Sequence, residues 1–162
     1  MNRRRFLIST LTLSVPLLTG RSLWAETPES RSVVEKIVKN SEEWQSLLTP
    51  KQFHVLRQEG TEPAFSSALN EEKRPGIYHC AGCDLALFTS KMKYDSGTGW
   101  PSFTDTLPGH LETKLDFKLI IPRTEYHCAR CGGHQGHLFK DGPPPRNERW
   151  CNNGVALRFV AT

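Results

Sequence analysis

The stretch CARCGGHQGHLFKDGPPPRNERWCNNGVALRF, Cys128 to Phe159, decides how the rest of the chain is read. It holds a Cys-x-x-Cys pair, Cys128 and Cys131, then two histidines three apart, His134 and His137, then a solitary Cys151. Arg149 and Trp150 precede Cys151, and Asn152 and Asn153 follow it. A cysteine set apart from a metal knuckle, with histidines nearby, is a candidate nucleophile. Free cysteine is also among the most buried residue types, so a small core residue is the alternative reading.

Outward from this stretch lies a second Cys-x-x-Cys pair, Cys80 and Cys83, 44 residues before the first. Each pair follows a short β-like run, Ile77-Tyr78-His79 or Glu125-Tyr126-His127, and Gly82 or Gly132 offers each a tight turn. Two such knuckles close a tetrahedral thiolate site for one structural zinc ion. Two disulfides, which an exported chain would favour, and a redox Cys-x-x-Cys pair are the alternatives. The symmetry of the knuckles favours zinc. Four cysteines fill the coordination of zinc, so the metal is expected to be structural.

The 162 residues are 37% hydrophobic, with a mean hydropathy of −0.48. This bounds the chain to one soluble domain plus an N-terminal segment. Eleven prolines and twelve glycines point to a loop-rich, mainly β architecture. The net charge of +4 is carried by the leader, since residues 1–25 hold Arg3, Arg4, Arg5 and Arg21 and no acid. The remainder balances 17 basic against 17 acidic residues, which removes the charge argument for a nucleic-acid partner.

Residues 1–25 read as an export signal, with Arg3-Arg4-Arg5-Phe6-Leu7 resembling a twin-arginine motif and Ala25 ending the leader. The apolar run Phe6 to Leu18 is too short and too polar to span a bilayer. The expectation is an exported, periplasmic bacterial protein with no stable membrane insertion after processing. A twin-arginine route would let zinc load in a reducing cytoplasm before export. Residues 26–40 read as a flexible joint and 41–162 as the domain. Ser41 precedes Glu42 and Glu43 as a helix start, and Thr49-Pro50-Lys51-Gln52 carries a capping box that predicts a helix ending at Gly60. Phe53, Val55 and Leu56 would form its buried face, with His54 a surface or packing residue. Gly60 to Gly76 reads as an extended wrap. Strands are expected at Ala86–Phe88, Lys114–Ile121 and Val155–Phe159. Trp100 and Phe103, in a glycine-rich turn, are either core or an aromatic wall for an apolar ligand group.

Taken together, Gly60-Thr61-Glu62, Gly76-Ile77-Tyr78, Gly99-Trp100-Pro101-Ser102-Phe103, Gly133-His134-Gln135-Gly136-His137, Asp141-Gly142-Pro143 and Arg149-Trp150-Cys151-Asn152-Asn153 resemble methionine sulfoxide reductases of the B type. The match includes both cysteine pairs and runs from about Ser41 to Phe159. The resemblance implies two antiparallel sheets with short N-terminal helices, and zinc at the edge opposite the active site. It implies reduction of peptidyl methionine-R-sulfoxide by a monomer, with an external thioredoxin-like or small thiol as reductant. It carries the nucleophile onto Cys151, acid–base roles onto His134, His137 and Asn153, and the substrate pocket onto Trp100, Phe139, Arg149 and Trp150. A protonated histidine and Arg149 are expected to lower the thiol pKa. Three positions depart from the family: Trp150 stands for a smaller aromatic, Gly154 for a common serine, and Thr98 for the resolving cysteine of many members. A non-catalytic, zinc-stabilised binding module for oxidised or unfolded proteins is the alternative function.

Overall fold

The computed structural model describes residues 34–117 and 122–162. The expected leader at 1–25, residues 26–33 of the expected joint and the last four residues of the expected strand Lys114–Ile121 lie outside the described residues. Residues 34–40 are not a free joint. Val34 and Ile37 pack against the core, Ile37 N–H donates to the Arg130 carbonyl at 2.7 Å, and Lys36 pairs with Glu112.

Two short helices follow. In α1 (Ser41–Leu47) the cap is Asn40, one residue earlier than Ser41: its side chain accepts from Glu43 N–H, and the Glu43 carboxylate accepts from Asn40 N–H. In α2 (Pro50–Gln58) Thr49 caps, Pro50 takes the first position and Gln52 completes the box, as the sequence predicts. Val55 and Leu56 are buried and Phe53 packs at the margin. Glu59, left-handed at φ 53°, ends the helix just before Gly60. Arg57 stacks on Trp44 with its guanidinium carbon 4.1 Å from the ring centroid, which ties α2 to α1.

Among the described residues nine strands form two antiparallel sheets. The first has the order β2-β1-β9, from β1 (Gly76–Cys80), β2 (Ala86–Thr89) and β9 (Leu157–Ala161). The second has the order β3-β4-β8-β7-β6-β5, from β3 (Lys93–Tyr94), β4 (Ser102–Phe103), β5 (Leu111–Asp116), β6 (Arg123–Cys128), β7 (His134–Phe139) and β8 (Arg149–Asn152). Strand β5 begins three residues before the expected Lys114. Strand β9 begins at Leu157 rather than Val155, because Gly154–Ala156 is a 3-10 turn whose Gly154 and Val155 N–H groups donate to the Glu62 carboxylate. The stretch Gly60–Gly76 is largely irregular, with one 3-10 turn at Ala68–Asn70.

The core lies between the sheets and is aromatic. Phe88 and Phe103 stack at 4.0 Å, Tyr78 meets Phe103 edge-on at 5.0 Å, and Trp150 meets Tyr126 in the same way at 5.0 Å. Phe103 is therefore core, while Trp100 stays partly exposed.

Candidate active site and metal site

The knuckles at the ends of β1 and β6 are built alike. Asp84 N–H donates to the Cys80 carbonyl at 2.9 Å and Gly132 N–H to the Cys128 carbonyl at 2.8 Å. The residue four after each leading cysteine is left-handed, Asp84 at φ 62° and Gly132 at φ 67°. The expected role of Gly82 thus falls to Asp84, a residue type that tolerates this conformation.

All four Sγ atoms lie within 4.8 Å of one another. Cys80 Sγ is 3.7 Å from Cys131 Sγ, and Cys83 Sγ is 3.4 Å from Cys128 Sγ. All four are free thiols, so no disulfide competes. A tetrahedron with Zn–S of about 2.3 Å needs S···S of about 3.8 Å, which these positions nearly supply. Two N–H donors already point at the sulfurs, Arg57 Nη2 at Cys131 and Gln135 Nε2 at Cys80, each at 3.3 Å. Such donors suit thiolates that bear negative charge. The donor set fits zinc.

Cys151 sits on β8, in the middle of the six-stranded sheet. Residues directly opposite one another in a sheet share a face. The pairings Lys114↔Glu125, Glu125↔His137, His137↔Cys151, Ser102↔Cys151 and Tyr94↔Ser102 therefore make one row across all six strands. Arg149 and Phe139, two residues along their strands, lie on the same face. Two histidines three apart would normally point to opposite faces. Here the register shifts between Tyr126 and His127, leaving Gln135 as the extra residue of a bulge. That places His134 beside His137, with ring centroids 5.4 Å apart.

A cavity of about 110 Å³ opens over Cys151. Thr61, Trp100, His137, Phe139 and Asn153 help to line it. His137 Nε2 lies 2.9 Å from Asp116 Oδ2, which also accepts from Arg123 Nη2 at 2.7 Å. Burial lowers the His137 pKa; Asp116 opposes the shift and Arg123 adds to it. Burial also lowers the His134 pKa, against the pull of Glu125, whose Oε1 is 2.9 Å from His134 Nδ1. Burial raises the Cys151 thiol, opposed by the Arg149 charge and by hydrogen bonds from Thr98, Arg149 and Ser102. For thiol and imidazoles alike burial outweighs the neighbouring charges, favouring the neutral form of each against the activation expected from Arg149 and a histidine.

A profile of the SelR domain matches residues 48–161. The chain is 50% identical over 126 residues to "Peptide methionine sulfoxide reductase MsrB" of Methanosarcina mazei, across 77% of this chain and 90% of that one. The chain belongs to the MsrB family. It is 43% identical over 155 residues to "Peptide methionine sulfoxide reductase B1, chloroplastic" of Arabidopsis thaliana, across 93% of this chain and 76% of that one. It is also 49% identical over 125 residues to human "Methionine-R-sulfoxide reductase B2, mitochondrial", across 72% and 69% of the two chains.

In this MsrB chain the expected site residues divide. Cys151, His137, Trp100, Phe139 and Asn153 line the cavity. Arg149 stands beside Cys151, gripped by both Asp141 carboxylate oxygens at 2.8 Å and stacked on the Phe139 ring at 4.3 Å. His134 is only 2% exposed and stands behind His137 rather than in the cavity. Trp150 is not part of the pocket wall. Successive strand residues face opposite ways, so with Cys151 on the cavity side Trp150 enters the core, at 7% exposure. The Asn153 amide is committed to backbone: Nδ2 donates to the Gln135 carbonyl at 2.9 Å and Oδ1 accepts from Glu62 N–H at 3.0 Å. These bonds tie the MsrB site together across Glu62, Gln135 and Asn153.

Two acids escaped the sequence reading, and a third, Glu62, enters it only as part of a matching motif, with no role. Asp116 on β5 and Glu125 on β6 meet the histidines of β7, and no motif marks either acid. Glu62 joins four points: its N–H to Asn153, its carbonyl to Trp100 Nε1 at 3.1 Å, and its carboxylate to Gly154 and Val155. Gly154 in place of the common serine also has a reason, because a Cβ there would lie 1.9 Å from Ser67 Oγ.

Proposed function

We propose that this protein repairs oxidised proteins by reducing peptidyl methionine-R-sulfoxide to methionine, with Cys151 as nucleophile and an external thiol as reductant. The observation that carries the reading is a free, half-buried Cys151, separate from the four metal cysteines, in a cavity with His137 and Trp100. Cys151 Sγ attacks the sulfoxide sulfur, and the oxygen leaves methionine for Cys151 as a sulfenic acid. Because burial favours the thiol and the neutral imidazoles, the proton that the oxygen needs is the thiol's own in this reading. His137 relays it, with Asp116 stabilising the imidazolium during transfer. The Arg149 charge and the Thr98 and Ser102 hydroxyls hold the transient thiolate. Trp100 packs the S-methyl, and separate places for methyl and oxygen select one epimer. Zinc on four thiolates supplies folding free energy. The test is chiral chromatography of a methionine-R-sulfoxide peptide with dithiothreitol. The single-turnover rate is expected to fall as pH rises past the raised Cys151 pKa, because the ionised thiol no longer carries the proton that the oxygen needs; no loss of the R epimer sinks the reading.

Thr98 sets the recycling. It stands where a resolving cysteine would be and is close enough to hydrogen-bond Cys151. Exchange needs a second sulfur in reach, and the other four are committed to metal. After one equivalent of substrate without reductant, mass spectrometry should find a dimedone adduct on Cys151. A disulfide from Cys151 to a knuckle cysteine, with zinc released, would overturn this.

The arginine-rich leader supports export to a bacterial periplasm, and no described helix is long and apolar enough to cross a membrane. Fractionation of cells expressing the full chain should find a shortened protein in the periplasm; full-length protein confined to the cytoplasm would refute export.

A further inference from the structure

Phe65 is 75% exposed and sits at φ +63°. A bulky side chain in the left-handed region is strained and persists only where its surroundings hold it. They do so here. Phe65 N–H donates to the Gly99 carbonyl at 2.7 Å, and Asn70 Nδ2 donates to the same oxygen at 3.0 Å. The Phe65 ring lies over Gly99, where a Cβ would come within 2.8 Å of it, and Gly99 itself is at φ +89°. The next residue, Trp100, is fixed by its Nε1–H to the Glu62 carbonyl. The segment 62–70 and the Gly99–Trp100 turn are thus locked together with an aromatic ring turned outward.

Trp100 borders two depressions of side-chain size. One, of about 110 Å³, contains Cys151 and His137. The other, of about 130 Å³, has Phe65 and Pro101 as its apolar lining beside Trp100, together with the charged Glu71, Lys93 and Asp95. We propose that Phe65 is a specificity platform, which receives an apolar side chain of the substrate polypeptide one or two residues from the methionine sulfoxide held against Trp100. The proposal rests on the reductase reading and names its preferred substrate: methionine sulfoxide in apolar segments, which an intact fold buries and an unfolded one presents. Trp100 is common to both depressions, and an extended peptide advances about 3.3 Å per residue from one toward the other. With a methionine sulfoxide side chain in the small pocket over Cys151, sequence preference would come from a neighbouring surface. Phe65 and Trp100 make that surface continuous with the pocket.

The test uses the full chain and two methionine-R-sulfoxide pentapeptides, one flanked by leucines and one by serines, with N-acetyl methionine-R-sulfoxide amide as the reference. Wild type should favour the leucine peptide through KM by about fivefold, as burial of part of one apolar side chain allows. Phe65→Ser should bring that ratio close to one, and Phe65→Leu should keep most of it. If Phe65→Ser slows all three substrates equally and leaves the ratio intact, Phe65 only braces the turn and the proposal is wrong; a wild type without preference is equally fatal. Binding of both peptides to Cys151→Ser by fluorescence polarisation reads the platform without turnover. If wild type reduces nothing while the leucine peptide still binds better and Phe65→Ser erases the difference, the reductase reading fails and the platform stands. Equal binding of the two peptides rejects the platform.

Discussion

Cys151→Ser should lower reduction of methionine-R-sulfoxide by about three orders of magnitude or more, the scale on which loss of a catalytic nucleophile is felt. A hydroxyl ionises far less readily than a thiol and has no sulfenic state in which to hold the transferred oxygen. The fold should be indifferent. Residue 151 is a half-buried position in the middle of β8, and its backbone pairings with Ser102 and His137 do not involve the sulfur. Its neighbours Asn152 and Asn153 keep their bonds to Gln135 and Glu62. Zinc content by elemental analysis and the thermal midpoint should match wild type. Residual turnover near the wild-type rate would place the nucleophile elsewhere.

Cys131→Ala, or chelation of the metal from wild type, should unfold the domain. Structural zinc contributes on the order of 10 kcal/mol in small metal-folded peptides. The whole net stability of a typical domain is about 5–15 kcal/mol. The loss is not confined to the ion. Arg57 donates to the Cys131 sulfur and carbonyl, and the fully buried Gln135 donates to Cys80. With the knuckles open these donors lose their acceptors, at about 1–3 kcal/mol for a buried group left unpaired. Circular dichroism should show a chain with little fixed structure, and elemental analysis one zinc per wild-type molecule. A freshly purified, reduced wild type without zinc would refute the assignment.

Local signals read well where local physics decides. The α2 cap at Thr49-Pro50-Lys51-Gln52 is a matter of four consecutive residues, and it forms as read. The cysteine spacing is likewise local, and it brings four sulfurs together. What failed required partners distant in sequence. Trp150 belongs to the core because of strand parity, and parity is known only once Cys151 is paired with His137. The acids at 116 and 125 meet the histidines only through sheet register. Counting charges near Cys151 suggested an activated thiolate, because formal charge is visible in a sequence and desolvation is not. Glu62 stands in a stretch with no period, yet it bonds to residues 38 and 91 or more positions away.

The bulge at Gln135 has a consequence for insertions and deletions. In a regular strand the side-chain period is two, so one residue more or fewer turns everything beyond it over. A bulge absorbs a change of one. With Gln135 removed, His134 would still pair with His127 and Gly136 with Tyr126, now in an unbroken ladder, and His134 and His137, then two apart, would still share the cavity face. What the shorter chain would lose is the Gln135 side chain, which is fully buried and joins the metal knuckle at Cys80 to Asn152 beside the nucleophile. The extra residue is therefore better described by the link it makes than by the register it sets.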